Sequence, residues 1–428
     1  MEKQPKRTLL HDWHVARGAN MADFGGYEMP LWYTTGAKKE HLAVLSGAGM
    51  FDTSHMAMLK ISGSDASDLL QLCFTKDLNA CVGQNKTPLS PGRCVYGAFL
   101  NADGTVIDDA IVYQAFGEEY LVVVNAAMGG EIAKNLISHR GGKNTEVTDL
   151  TDKLGKMDIQ GPASAKILRK VLAEPEKVFE KMPYFSFRGH FDAAASPEIP
   201  VRLSYSGGDG PPILLSRTGY TGEFGFEIFI APEHFVKLWE TVLDAGKSFD
   251  LTPCGLAARD SLRAGAVLPL SHQDIGHWPF INNPWPFALP YNDGQTDFTK
   301  SFVGGDALKN VIDSECTYPF AGNDLRKISA EDPAIVTNED GREIGRVLTC
   351  VTDMGIGRAD DRIYSISSPD KPEGFKAKGL CCGFVKVNTM LKFGQTVVLK
   401  DKRRKIKVRI AEDIRPDRTA RRPIREMI

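Results

Sequence analysis

Between Met56 and Ala127 the chain carries four short apolar runs, MAMLKISG, RCVYGAFL, AIVYQAF and YLVVVNAA, cut apart by turn signals such as NADG and FGEE. Runs rich in Val, Ile and aromatic residues, bounded by Gly, Asn and Asp, read as strands joined by tight turns. Between them SDASDLLQLCF reads as a short helix capped by Ser64, and after Asn125 MGGEIAKNLISHR reads as a second helix. From Glu146 onward strands and helices alternate irregularly: KMDIQGP, PASAKILRKVL, PILLSRTGYTGEFGFEIFI, then EHFVKLWETVLDAG with its apolar residues at helical spacing. Regular βαβ repeats, a G-x-G-x-x-G fingerprint and a P-loop are all missing. The pattern is α+β, with antiparallel strands and helices intermixed.

The two ends read differently. The opening segment to Met50 mixes a helical pattern with a loop, ADFGGYEMPLWY. From about Arg326 short strands (PAIVT, EIGRVLTCV, GLCCGFVKV, QTVVLK, KIKVRIAE) joined by Gly- and Pro-bearing turns predict a small β-barrel or sandwich. The insert GIGRADDRIYSISSPDKPEGFKAK reads as a surface loop. The basic stretch KDKRRKIKVRI reads as a charged strand edge that discourages aggregation, or as a docking surface for an acidic carrier.

Length and composition narrow the class. A chain of 428 residues is too long for one ordinary core, so two or three domains are expected. Hydrophobic residues at 42% and charged residues at 25% are those of a soluble globular protein. A formal charge of −2 argues against a general nucleic-acid or membrane-surface binder. No apolar run approaches membrane-spanning length, and the first residues lack an apolar signal region, so a cytoplasmic protein is expected. The 8 cysteines form no C-x-x-C pair and the 9 histidines do not cluster, so no metal site is expected and the thiols read as small buried hydrophobes. His55 and Met56 read as buried structural residues.

Three segments carry possible chemistry. In LNADGTVIDDAIVY, Asp108 and Asp109 interrupt an apolar strand, and alternation sends one of them inward. An inward carboxylate costs several kcal/mol unless paired or wet; an exposed strand end with both acids solvated fits this segment too. In RTGYTGEFGFE, three glycines turn the backbone around Tyr220, and Glu227 suits an N–H/NH₂ edge of the guanine or pterin type, or an ordinary surface ion pair. In CGLAARDSLRAGA, Arg259 and Arg263 stand four apart on one helix face, placed to clamp a carboxylate or to sit solvated.

Taken together, DFGGYEMPLWY with GMFDTSHM, LNADGTVIDDAIVY with YLVVVNAA, DIQGP with SRTGYTGEFGFE, and PCGLAARDSLR resemble the T-protein (aminomethyltransferase) family of the glycine cleavage system in order and spacing. The resemblance runs from about Thr8 to Asp274. It implies a three-domain cloverleaf around a central folate site, with a C-terminal β-barrel-like domain. The implied division is a discontinuous folate-binding α+β domain (1–55 with 150–275), an inserted α+β domain (56–149), a connecting segment (276–325) and the barrel (326–428). It implies that tetrahydrofolate is bound, that Asp109 is the catalytic carboxylate, and that Asn125 and Glu227 meet the pterin ring. Tyr220 and Tyr113 would lie beside the ring, Tyr96 would contact the folate, and Arg259 would hold its glutamyl end or the surroundings of the aspartate. The implied reaction moves an aminomethyl group from a lipoylated carrier protein to give methylenetetrahydrofolate and ammonia.

Other stretches depart from that pattern. In LRAGAVLPLSHQDIGHWPF, Gly265 or Ala264 stands where the family has Glu, and Ser271 takes the place of a Tyr. Trp278, Phe280, Trp285 and Phe287 concentrate aromatics where substrate enters in relatives, either as domain-junction packing or as a pocket for a cationic or methoxylated small molecule. A folate-dependent demethylase of a small methylated compound therefore stands beside the aminomethyltransferase reading, and a non-catalytic folate-binding protein is a third.

Overall fold

The structure, a computed structural model, describes residues 4–204, 210–311, 315–330 and 334–428; Met1–Lys3 of the opening segment and Pro333 at the head of the PAIVT run lie outside them. The apolar runs between Met56 and Ala127 do form strands. They build an antiparallel five-stranded sheet in the order Arg93–Leu100, Val106–Gln114, Glu119–Val124, Ala57–Ser62, Glu146–Asp149. A second, six-stranded sheet runs Phe187–Gly189, Leu214–Ser216, Gly225–Ile230, Gly155–Gln160, Gly49–Asp52, Thr252–Pro253.

The period-two pattern explains how the sheets meet. In Val106–Gln114, Ala110 and Val112 pack on helices Ala66–Cys73 and Gly129–His139, while Ile111 and Tyr113 face Phe187, Leu214 and Phe229 of the other sheet. The far side of the six-stranded sheet is covered by helix Pro232–Ala245, whose Phe235, Leu238, Trp239 and Val242 meet Met157, Ile159 and Ile228. Two sheets therefore lie face to face with helices outside, and whatever is polar on the inner faces is shut between them.

Among the described residues the carboxy-terminal strands, together with Cys316–Ala321 from the segment expected to be only a connection, close into a barrel of six rather than a sandwich. Its strand Lys405–Ile410 is not an edge: it pairs with Thr396–Lys400 on one side and with Phe320 and Ala321 on the other. Val408 and Ile410 point into the barrel core, and the basic residues alternate outward.

Three local expectations are corrected. The opening loop is a hairpin, Asn20–Phe24 with Tyr27–Trp32, because Gly25 and Gly26 take φ of 59° and 81° and permit a tight turn. The insert begins as a hairpin too, Ile356–Ala359 with Arg362–Ser365, turning through Asp360 and Asp361 at φ 47° and 63°. Helix Ala66–Cys73 has Asp65 at its N-cap with no side-chain cap, and Ser64 instead accepts from the Asn144 amide.

One buried ionic set ties the barrel to the sheets. Asp353 accepts from His41 Nε2 at 2.9 Å and from Arg415 Nη1 at 2.5 Å, and Arg415 Nε reaches Glu223 at 3.1 Å. Burial opposes the Asp353 charge, yet Arg415 and His41 hold its carboxyl far below the usual range. The set fills the space left by Gly265 at the end of helix Leu256–Gly265: a methyl carbon there would lie 1.9 Å from Asp353 Oδ2 and 2.8 Å from Arg415 Nη1. Gly265→Ala is expected to cost about 2–4 kcal/mol in urea unfolding, by displacing a buried ion pair. Gly130→Ala, which meets nothing within 4 Å on an exposed helix, should gain about 0.5–1 kcal/mol and serves as the control.

Candidate active site

Strand Val106–Gln114 carries a bulge at its start. Leu100 pairs with Val106 and Phe99 with Asp108, leaving Ile107 as the extra residue. A bulge adds twist and re-aims side chains, and here both acids reach one partner. Asn125 donates from its backbone N–H to Asp108 at 2.9 Å, and from Nδ2 to Asp108 at 2.7 Å and to Asp109 at 2.6 Å. The Tyr96 hydroxyl donates to the other Asp109 oxygen at 2.7 Å, and Ser271 Oγ donates to Asp108 at 2.7 Å. Asp108 is fully buried; Asp109 is partly exposed.

Burial, and then the neighbouring Asp109 charge, pushes Asp108 up to about 7. Burial raises Asp109 as well, against the hydrogen bonds from Tyr96 and Asn125. Two carboxyls this close retain a proton between them near neutral pH. The Tyr96 phenol is pushed well up by burial and by Asp109, so it stays a donor.

A second polar cluster lies on the inner face of the other sheet. Glu227 Oε2 accepts from Thr218 at 2.8 Å and from the Tyr113 hydroxyl at 3.3 Å, while Oε1 meets Lys156 Nζ at 3.2 Å. Lys156 also donates to Asp158 at 2.9 Å and to Thr53 at 3.1 Å. Asp158 takes Arg259 Nη1 on its second oxygen at 2.6 Å. Despite burial, Lys156 and Arg259 hold Asp158 down to about 2. The Arg259 guanidinium lies 5.0 Å over the Tyr220 ring, and Tyr220 donates to the Pro269 carbonyl.

Every candidate from the sequence thus belongs to one of two clusters. Asp109, Tyr96 and Asn125 are in direct contact, and so are Tyr113 and Glu227; Arg259 and Tyr220 join the second set through Asp158. The sets are linked by one strand, since Asp109 and Tyr113 share a face four residues apart, about 13 Å along the sheet. The paired-arginine clamp does not form: Arg263 turns to Asp260, Asp274 and Thr349 and is wholly buried.

The aromatic stretch divides. Phe280 and Trp285 are core residues against Leu100 and Phe384, and Trp278 is covered by Lys386 at 4.5 Å and Arg346 at 5.2 Å. Phe287 alone of the four is open, 52% exposed, with its ring 5.8 Å from Tyr96. His55 is buried against Phe24, and burial lowers it to about 4, so it stays neutral.

Lys156, Asp158 and Ser271 were not singled out as site residues from the sequence. For the first two a signal existed: charges two apart in KMDIQGP must share one face of a strand. Nothing local marks Ser271, which reaches Asp108 across 163 positions. Among the described residues no group of three or more His, Cys, Asp or Glu is arranged to hold a metal ion, and no helix is long and apolar enough to cross a membrane.

Comparison with known proteins bears on family and fold. The family described as the GCVT N-terminal domain matches residues 10–211 and 208–278. An aminomethyltransferase of Bacillus cytotoxicus is 37% identical over 63% of this chain and 66% of its own length. One from Caldanaerobacter subterraneus subsp. tengcongensis is 33% identical over 80% of this chain and 83% of its own. The chain therefore spans just under two thirds of the first relative and more of the second. The crystal structure of glycine cleavage system aminomethyltransferase T from Bartonella henselae matches with a TM-score of 0.72, over 95% of this chain and 96% of that one, at 24% identity, and so shares its fold.

Two outcomes test the electrostatics. Lys156→Met leaves Glu227 without a cation in the interior, while Asp158 keeps Arg259. It should cost about 3–5 kcal/mol at neutral pH by denaturant unfolding, the deficit shrinking toward acid as the stranded charge is protonated. Asp108, with its folded-state value raised to about 7 against an unfolded 3.8, contributes stability that is complete below the lower value and lost as pH rises through the upper one. Thermal melts between about pH 5 and 7 should therefore slope downward, and Asp108→Asn should flatten them.

Proposed function

This chain belongs to the GCVT family, and from that premise we propose that it is a tetrahydrofolate-dependent one-carbon transferase of the aminomethyltransferase type. Its donor on this reading is an aminomethyl group on a lipoylated carrier protein, and its products are methylenetetrahydrofolate and ammonia. The single observation that carries the reading is the strand shared by the two clusters. Asp109, in hand with Tyr96 and Asn125, and Tyr113, in hand with Glu227, stand on one face about 13 Å apart. A carboxylate at each end and phenols between them suit a flat ring rimmed with N–H groups, extended by an aryl amine.

Folate, when bound, supplies a nucleophilic amine that accepts the one-carbon unit. Everything else falls to the chain. Glu227 meets the pterin edge, sharing its carboxylate with Lys156, Thr218 and Tyr113, whose bonds leave about one of its four acceptor positions. Arg259 is neutralised by Asp158, so it holds Tyr220 by its ring rather than offering a free charge. Asp109 is the partly exposed member of a pair that retains a proton, which suits it to accept a proton or to hold a cationic amine as ammonia departs. The eight unpaired cysteines support a reducing, cytoplasmic setting.

A second reading, demethylation of a small methylated amine, sulfonium or methoxy compound, is favoured by one observation: Phe287 offers an open ring beside Tyr96. The two readings part at the product. Tetrahydrofolate with an aminomethyl-loaded lipoyl carrier should yield methylenetetrahydrofolate, whereas 5-methyltetrahydrofolate from a panel of methylated donors would install the second reading. Folate binding without turnover of either would leave a non-catalytic binder, and no heat of association with any reduced folate would end all three. Asp109→Asn should keep folate affinity within about tenfold while turnover collapses by 10²-fold or more, roughly the contribution of a positioned acid–base group.

A further inference from the structure

After helix Leu256–Gly265 the chain makes a turn that carries Ser271, the donor to Asp108. Val267 takes φ of 59°, and Ser271–Ile275 form a single π-type turn. Turns of this kind are rare and gather at functional sites. This one is pinned from below: Asp274 accepts the Leu270 N–H at 3.0 Å and Thr349 Oγ1 at 2.6 Å, and pairs with the buried Arg263. The far end of the turn meets the acid pair. Ser271 Oγ donates to Asp108 and accepts the Asp109 N–H at 3.4 Å, and the next residue, His272, has its Nε2 3.6 Å from the same Asp108 oxygen.

His272 differs from the other groups around the pair. Tyr96, Asn125 and Ser271 are donors that keep their protons at neutral pH. The His272 side chain is 43% exposed, so it reaches Asp108 on one side and water on the other. The titratable groups that face it are Asp108 and Asp109 on strand Val106–Gln114 and His277, whose ring is 5.8 Å away on the same loop. Burial and His277 hold it below its ordinary value, with Asp109 opposing, so it is largely neutral and able to accept a proton at neutral pH.

We propose that His272 is a positioning residue of the acid pair, the group through which Asp108 and Asp109 exchange their proton with solvent. The inference rests on the reading that this pair performs proton work for a one-carbon transfer. Each new bond from the one-carbon unit to a folate amine replaces that carbon's bond to a leaving group, the carrier sulfur or the departing ammonia. The leaving group takes the bonding electron pair and a proton from water, while the attacking amine gives up its N–H proton. The pair accepts it, the neutral imidazole takes it at Nε2, and water takes it from the imidazolium, so the pair and His272 return to their starting charges. The segment that resembles the family's P-L-Y-G-like run reads Pro269-Leu270-Ser271-His272 here.

The test begins without folate. The His272 ring signals, assigned by their loss in His272→Gln, are titrated by NMR in the unliganded protein. Asp109→Asn should lower the His272 midpoint by about one pH unit, a tenfold change in proton affinity, and Asp108→Asn, which removes the acid already largely protonated at that pH, should lower it by less. A midpoint that neither substitution moves overturns the proposal. In turnover, His272→Gln should reduce the rate at least about tenfold with folate affinity unchanged, and free imidazole should restore it in proportion to its concentration. Unchanged turnover, or a loss that imidazole does not rescue and that leaves the pH profile unaltered, also overturns it. Failure of the underlying reading shows separately, as an unsubstituted chain that transfers no one-carbon unit to folate. The titration then still decides whether His272 and the acid pair are coupled.

Discussion

Lys156 lies between Asp158 and Glu227 in the layer where two sheets face each other, and the rest of the site is set by that burial. Removing three charges from water costs several kcal/mol per ion, and only well-directed partners offset it. Each oxygen of the two acids is accordingly met by Lys156, Arg259, Thr53, Thr218 or Tyr113. Because Tyr113 is one of those partners, strand Val106–Gln114 docks in a single register. A slip of one residue would turn Tyr113 and Asp109 away from the opposing sheet together.

The same economy of buried charge fixes the remaining elements. The Asp353, Arg415, Glu223 and His41 set holds the barrel and the carboxy-terminal tail against helix Leu256–Gly265. Arg263 and Asp274 anchor the turn that delivers Ser271 to Asp108. The acid pair stands apart from these sets: among the described residues no arginine or lysine pairs with it, and its donors are an amide, a phenol and a hydroxyl. Uncompensated burial is why its members rise while Asp158 and Asp353 fall. Asp158 and Asp353 are met by cations and the acid pair by neutral donors, whereas Asp274 is raised by burial even beside Arg263.

Much of this was legible in the residues. Apolar runs located four strands of the five-stranded sheet but not Glu146–Asp149, helical spacing located Pro232–Ala245, and the change in character near Arg326 falls after the barrel's first strand, Cys316–Ala321. The motif residues Asp109, Tyr96, Glu227 and Tyr113 lie on strands whose partner strands were also readable, and Asn125 directly follows one, so they fall into two contacting sets. The losses were where local rules were asked to settle long-range facts. Strand alternation put one aspartate inward, but the bulge at Ile107 brings both to Asn125. Helical spacing paired Arg259 with Arg263, but the nearest carboxylates lie on different elements and draw them apart. The basic run looked like an edge because a strand's second neighbour cannot be seen in its own residues, and closure of the barrel supplies it.

The amino-acid order by itself determined which segments are strands and helices and which faces are apolar. It also placed the acids and phenols on strands, because pleat and helical turn are properties of a few consecutive residues. Only the tertiary structure decided which charges neutralise one another and which are left to hold a proton. That choice depends on residues far apart in the chain meeting in a space from which water is excluded, where Lys156 is set against Glu227 across 71 positions and a turn at Ser271 and His272 against Asp108, Ser271 across 163.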